Sequence, residues 1–218
     1  IVKAGSGTQI FGGAAEHSGT TTISGGTLIV NGTNSVLARS PVVLAGGTLA
    51  AEHAIELGHT KLLWLAGPRD IPQVADREAG LMRAVRRAKV KATRIAAAQM
   101  TTSAGEAAME AALAKHPDFT ALICANDLLA LGAVRALSRA GLRVPQDISV
   151  IGYDDIEFAA SAAVPLTSIR QPKYELGHAA AKLVIGECED PATHAHQRVQ
   201  FQPQLIVRSS TGPARTRR

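Results

Sequence analysis

From Ala51 onward the apolar residues of this chain alternate between two periods. Ala51, Ala54 and Ile55 fall on one helical face, and Gly58-His59 ends that helix as a C′ glycine and its polar neighbour. Lys61–Ala66 (KLLWLA) is a near-continuous apolar run closed by Gly67-Pro68, the pattern of a strand buried on both faces. Leu81, Met82, Val85 and Ala88 mark the next helix, and residues 93–97 a second short strand. Ser103-Ala104-Gly105-Glu106 reads as a capping box that opens a third helix. A third strand is expected over 120–125, then a helix carrying Ala130, Val134 and Leu137 that Gly141 and Pro145 stop, then a fourth strand over 148–152. This alternation predicts an α/β fold, a doubly wound parallel sheet with right-handed crossovers.

The first fifty residues follow another rule. Thr, Val and Ile alternate around Gly-Gly pairs, which is strand and tight-turn chemistry. Gly25-Gly26-Thr27-Leu28 recurs as Gly46-Gly47-Thr48-Leu49, a period of 21 residues. A period near 20 with one short strand pair per repeat predicts a short all-β, solenoid-like segment. A Gly/Thr-rich hairpin region is the plainer alternative. The passage IVKAGSGTQIFGGAAEHSGTTTISGGTLIVNG also resembles the autotransporter-associated β-strand repeat of bacterial surface passenger domains. Only about two coils are present, fewer than the about three that bury a continuous solenoid core.

Ligands of doubly wound sheets gather beyond the carboxyl ends of the strands. The polar residues there are Arg77 near the first strand, Asn126-Asp127 after the third and Asp154-Asp155 after the fourth. A guanidinium facing a carboxylate and an amide can clamp vicinal hydroxyls through paired, directional hydrogen bonds. Each residue has a structural rival: Asp127 reads first as a helix cap, Asp155 as a turn former and Arg77 as a surface charge.

Composition sharpens the division. Residues 1–50 hold half of the 20 glycines but only Lys3, Glu16 and Arg39 as charges. The net charge of +5 comes largely from the tail arginines Arg215, Arg217 and Arg218, so it is weak evidence for nucleic acid. The basic run Arg83, Arg86, Arg87, Lys89, Lys91 and Arg94 reads as a solvated helix face, since no aromatics interleave with it. Cys124 and Cys188 lie far apart without a CxxC, which suits a reducing cytoplasm. No run of about 18 apolar residues predicts a membrane span. The chain opens on Ile1 without a charged-then-apolar leader, the pattern expected of a fragment. His194 and His196, near Cys188, Glu189 and Asp190, lack the ligand spacing of a metal site. There is no P-loop and no nucleophile elbow, and Gly5-Ser6-Gly7 lacks the third glycine of a dinucleotide fingerprint. Neither an enzyme nor a cofactor is expected.

The segments HAIELGHTKLLWLAGP, DREAGLMRAV, ALICANDLLALGAVRALSRAGLRVPQDISVIGYDDI, LTSIRQP, ELGHAAAKLV and LIVRSSTGP occur in one order over about 165 residues. Together they resemble the effector-binding domain of LacI/GalR-type transcription regulators, which is similar to the periplasmic sugar-binding proteins. The resemblance implies one subdomain of a periplasmic-binding-protein-like fold. It places Arg77, Asn126, Asp154 and Gln171 at the effector, a sugar or purine-like metabolite. Met100 falls where many members carry a stacking aromatic, which puts sugar stacking there in doubt. The helix-turn-helix, hinge and first subdomain of the family do not precede Ala51. Operator DNA is therefore a partner only of an intact member, while homodimer contacts can persist. The helix around 174–186 would leave its apolar face, Leu176, Ala180, Leu183 and Val184, exposed.

The organisation expected is a β-solenoid-like stub over 1–50, an effector-binding α/β subdomain over 51–212 and a basic tail over 213–218. Gly46-Gly47-Thr48-Leu49-Ala50 fits both the end of the repeat and the start of the regulator. Recombination at a short shared sequence leaves such a join, and a genuine fusion reads the same way. The function expected is the effector-sensing portion of a cytoplasmic regulator. The alternatives are an autotransporter passenger fragment and a free-standing periplasmic sugar-binding protein.

Overall fold

The computed structural model describes residues 46–116, 118–189 and 201–215, with side chains omitted over 186–189, and the backbone of four short strands before residue 32. His194, His196 and the end of the basic tail lie outside these residues. The chain divides into two compact units, one of residues 1–44 with 171–202 and the other of 45–170 with 203–218.

In the first unit, β1 (Val2–Lys3) pairs with β3 (Thr22–Ile23), and β2 (Thr8–Gly12) pairs with β4 (Thr27–Asn31). Both pairings are parallel, Val2 lying opposite Thr22 and Thr8 opposite Thr27. A hairpin would pair its strands antiparallel, so the described strands stack as successive solenoid coils do. Helix α6 (Lys173–Glu189) belongs to the same unit. Its Leu176 is buried and its Ala180, Leu183 and Val184 are partly covered, against the expectation of an exposed apolar face. Apolar burial of this stripe removes it from water, and Tyr174 and Ile185 remain exposed instead.

The second unit carries a six-stranded sheet in the order β10-β9-β8-β7-β5-β6. Its strands are β5 (Lys61–Ala66), β6 (Lys91–Ala96), β7 (Ala121–Cys124), β8 (Ser149–Tyr153), β9 (Thr167–Arg170) and β10 (Gln204–Ile206). Only β10 runs antiparallel to its neighbour. Its helices are α1 (Gly46–Glu56), α2 (Pro72–Ala88), α3 (Thr102–Leu113), α4 (Asp127–Arg139) and the short α5 (Glu157–Ser161). Helix α1 packs on α2, and α3 on α4. The apolar run of β5 is buried from Leu62 to Ala66, and Leu122, Ile123, Val150 and Ile151 continue that core across the sheet. Burying each Leu or Ile side chain stabilises the fold by about 1.5–3 kcal/mol. The one polar atom of Trp64 is satisfied: its Nε1 donates to Glu78 at 3.2 Å, and Arg94 donates to the same carboxylate at 3.0 Å.

The chain passes from β5 through α2 to β6 in one direction, then through α3 to β7 and α4 to β8 in the other. Right-handed crossovers then put α2 on one face and α3 and α4 on the opposite one. The reversal makes a crevice beyond the carboxyl ends of β5 and β7, where open α/β sheets bind ligands.

Two local expectations change. Thr27-Leu28 extends in β4, but the identical Thr48-Leu49 is helical in α1. A Cβ at Gly46 would come within 2.6 Å of the Tyr153 ring, and one at Gly47 within 2.9 Å of the Arg77 carbonyl carbon. The second Gly-Gly therefore serves helix packing, and tertiary contacts outweigh the local preference of Thr. Helix α3 starts earlier than the capping box suggests, with Thr101 as the cap accepting from the Ala104 amide at 3.3 Å. The four expected strands appear within two residues of their predicted limits, and Gly58 and Gly141 take the positive φ that ends α1 and α4.

Candidate functional site

Helix α2 carries Arg77 on its inner face, beside Val74 and Leu81, so its stem is packed into the core and its head reaches the strand ends. The residue is 6% exposed. Its guanidinium donates to the Ala125 carbonyl and, through the other terminal nitrogen, to Asp154 at 2.9 Å. The guanidinium carbon lies 3.7 Å from the centre of the Tyr153 ring, a cation–π stack. Arg77 Nε is buried and has no hydrogen-bond partner among the described residues. A buried donor left unpaired costs about 1–3 kcal/mol, and such a group is an opening for a ligand acceptor.

Asn126 follows β7 and caps α4, accepting from the Leu129 amide at 2.9 Å. Its amide nitrogen donates to the Met100 carbonyl at 3.3 Å. Met100 packs against Gly67, where a Cβ would come within 3.2 Å of its Cγ. The crevice between β5 and β7 is thus walled by Gly67, Met100 and Asn126.

Asp127 is not the cap that its position suggests. Its carboxylate accepts from the Ile156 amide at 2.9 Å and from the Ser168 hydroxyl at 2.6 Å. Burial raises its pKa to about 6; the charges of Asp154 and Asp155 add to that, and its two hydrogen bonds oppose it. Asp154 and Asp155 both take positive φ, 102° and 47°, at the exit of β8. Burial pushes Asp155 up, but Arg208 and Arg170 outweigh that and hold it below the ordinary carboxylate value. Arg208 lies 2.7 Å from it and Arg170 2.5 Å. Asp155 therefore shapes the turn, while Asp154 turns to Arg77.

Of the four residues singled out from the sequence, Arg77 and Asp154 meet directly, and Asn126 stands one residue from the carbonyl that Arg77 holds. Gln171 follows β9 by one residue and is buried; it belongs to the first unit. Tyr153 and Asp127 are the supporting residues that the sequence did not single out for this role. The signal was faint, an aromatic at the last position of an apolar strand and an acid after an asparagine. Of the basic run, Arg83, Arg86, Arg87, Lys89 and Lys91 are exposed along α2 and its exit as expected, whereas Arg94 is half-buried and pairs with Glu78 at 3.0 Å. None of the described helices is long and apolar enough to cross a membrane.

The family of periplasmic binding protein-like domains matches residues 51–211, and the passenger-associated-transport-repeat matches residues 1–30. The chain is 37% identical over 183 residues to the HTH-type transcriptional regulator reg1 of Streptomyces lividans, covering 80% of this chain and 52% of that one. It is 36% identical over 168 residues to the HTH-type transcriptional repressor PurR of Aliivibrio salmonicida, covering 76% and 50%. A crystal structure of a LacI family transcriptional regulator from Enterococcus faecium with bound ribose superposes with a TM-score of 0.73 at 28% identity. That superposition covers 86% of this chain and 71% of the other. The chain spans about half the length of the curated relatives it matches. Through residues 51–211 the chain belongs to the family of periplasmic binding protein-like domains, in the form that makes the effector-binding domain of LacI/GalR-type transcriptional regulators.

Proposed function

We propose that this chain supplies one wall of an effector cleft, with Arg77, Asn126, Asp154 and Gln171 as the residues that contact a sugar or purine-like metabolite. The observation that carries the reading is the buried Arg77, held by Asp154 and Ala125 with its Nε donor unpartnered, at the switch point of the sheet. A planar guanidinium paired with a carboxylate presents fixed donors and acceptors to vicinal hydroxyls or to a purine edge. The ribose bound to the Enterococcus faecium regulator supports the sugar class. The proposal divides the chain into a repeat stub over 1–50, the effector domain over 51–212 and a basic tail over 213–218, with α1 continuous across the first limit. Operator DNA and a homodimer belong to the longer regulator, whose setting is the cytoplasm, and its relatives' naming as regulators argues against an enzyme.

The test is an NMR titration of the isotope-labelled full chain with ribose and, separately, guanine. A one-sided site gives affinities in the millimolar range, because only part of the ligand is desolvated. Shifts confined to the Arg77 Nε–H and the Asn126 side-chain amide, lost in Asp154→Ala, support the proposal. Silence at both groups up to about 10 mM of either probe overturns it. Micromolar affinity for ribose would favour the free-standing sugar-binding protein instead.

A further inference from the structure

The turn that presents Asp154 is not a relaxed one. Two consecutive non-glycine residues, Asp154 and Asp155, hold positive φ, a conformation that strains the backbone of a residue with a Cβ. The surroundings must therefore fix the turn, and its amides show how. Asp154 N–H donates to the Ile169 carbonyl at 2.9 Å. Asp155 N–H donates to Ser168 Oγ at 3.1 Å, and that hydroxyl in turn donates to Asp127 at 2.6 Å. Ile156 N–H donates directly to the other Asp127 oxygen at 2.9 Å. The two amides that follow Asp154 thus converge on one carboxylate, directly and through one hydroxyl. That carboxylate lies against the β8 backbone, where a Cβ at Gly152 would overlap its Oδ1 and approach Leu166 Cδ2 to 2.8 Å.

We propose that Asp127 is the positioning residue of the effector site, holding the strained 154–156 turn so that Asp154 meets Arg77. It contacts no ligand itself. This inference rests on the effector reading for its purpose, but not for its geometry, which exists without a ligand. Effector contacts belong to Asp154 and Arg77; Asp127 acts through the backbone of the 154–156 turn.

The groups that face Asp127 are few. Strand β7 presents the Cys124 thiol, the loop after β8 presents Asp154 and Asp155, and β9 presents Ser168; Arg170 and Arg208 reach Asp155 from beyond. No cation pairs with Asp127 among the described residues, so its charge is held by hydrogen bonds alone. A proton taken by Oδ2 would face the Ile156 N–H, and one taken by Oδ1 would compete with the Ser168 proton. Protonation therefore disturbs the turn, and an isosteric neutral side chain removes the titration while keeping one acceptor for Ile156.

The test uses NMR spectra of the full chain without ligand, for the unaltered protein, Asp127→Asn and Asp127→Ala. In the unaltered chain the Ile156 and Asp155 amide shifts should follow a step centred near pH 6. In Asp127→Asn that step should vanish while the Arg77 Nε–H keeps its shift. In Asp127→Ala the Ile156 amide should exchange with solvent about tenfold faster or more, and the Arg77 Nε–H signal should move. Survival of the step in Asp127→Asn overturns the proposal, as does an Arg77 signal indifferent to Asp127→Ala. Should the alanine variant fail to fold, the pH step in the asparagine variant decides alone. A ribose titration run beside these spectra separates the two claims, since a chain that shows the step but binds no ribose counts only against the effector reading.

Discussion

Gly47 and Arg77 meet backbone to backbone: a Cβ at Gly47 would lie 2.9 Å from the Arg77 carbonyl carbon and overlap its oxygen. Helix α1 therefore crosses α2 at the residue that carries the site's guanidinium. Gly47→Ala should lower stability by about 1–3 kcal/mol, because overpacking at a backbone contact cannot be relieved by a side-chain rotation. Urea unfolding followed by circular dichroism measures this; an unchanged midpoint would mean that the two helices part without cost.

Asp154→Ala should cost about 1–3 kcal/mol in the same assay. Among the described residues it leaves the buried Arg77 charge with the Ala125 carbonyl and the Tyr153 ring. The lower end of that range is favoured by the partial exposure of Asp154, whose side chain is 29% accessible. Tyr153→Leu keeps most of the volume but removes the ring face, and should cost at least about 0.5 kcal/mol.

The C-terminal segment is tied to the amino ends of the strands by His59, which is buried. Its Nε2 lies 3.0 Å from the Gly212 carbonyl, which can only accept, so Nε2 carries the proton and Nδ1 accepts from the Thr120 hydroxyl at 2.9 Å. Burial lowers the pKa of His59; the Gly212 hydrogen bond opposes that and the nearby His53 adds to it. On acidification the unfolded chain then binds this proton first. The contribution of His59 is full above its ordinary value of 6.5 and is lost as pH falls from there through the lowered folded value. His59→Gln should flatten the fall in thermal midpoint between pH 7 and pH 5; an equally steep fall would acquit the histidine.

Asp76 has the opposite sign. Burial raises its pKa from 3.8 to about 6, so the folded chain takes up this proton first. Its contribution is full below pH 3.8 and is lost as pH rises through 6. Asp76→Asn should therefore raise the thermal midpoint at pH 7 and make less difference at pH 4. A gain of equal size at both pH values would assign the effect to packing instead.

Cys124 is a free thiol inside β7, and burial, with the Asp127 charge behind it, pushes its pKa well up. It should stay silent to a thiol reagent in the folded chain and react only on unfolding, at a rate set by the denaturant. Rapid labelling of Cys124 under native conditions, read by peptide mapping, would contradict the buried strand.

The alternation of βα units was legible because the central strands β5, β7 and β8 are buried on both faces and the helices between them on one, so the apolar period changes with the element. KLLWLA was read to the residue for that reason. The caps were less legible, since Asn126 and Asp127 offer the same acceptor to the same helix, and only the neighbouring amides of Ile156 and Leu129 choose between them. The same applies to the repeated Gly-Gly-Thr-Leu. Its first copy leads into β4 and its second into α1, because the second has Tyr153 and Arg77 to pack against.

By itself the sequence determined the α/β class, the order of strands and helices from β5 to β8, and which polar residues stand at those strand ends. These are local properties, carried by period, Gly and Pro stops and a single buried run. Helix α5, β9 and the antiparallel β10 came only with the structure. Only the tertiary structure decided what those polar residues do. It paired Arg77 with Asp154 across 77 positions, set Tyr153 beneath the guanidinium and turned Asp127 from its own helix toward β8 and β9. Such choices depend on which of several equivalent hydrogen-bond partners burial brings within 3 Å, a property of the packed sheet and not of any segment of chain.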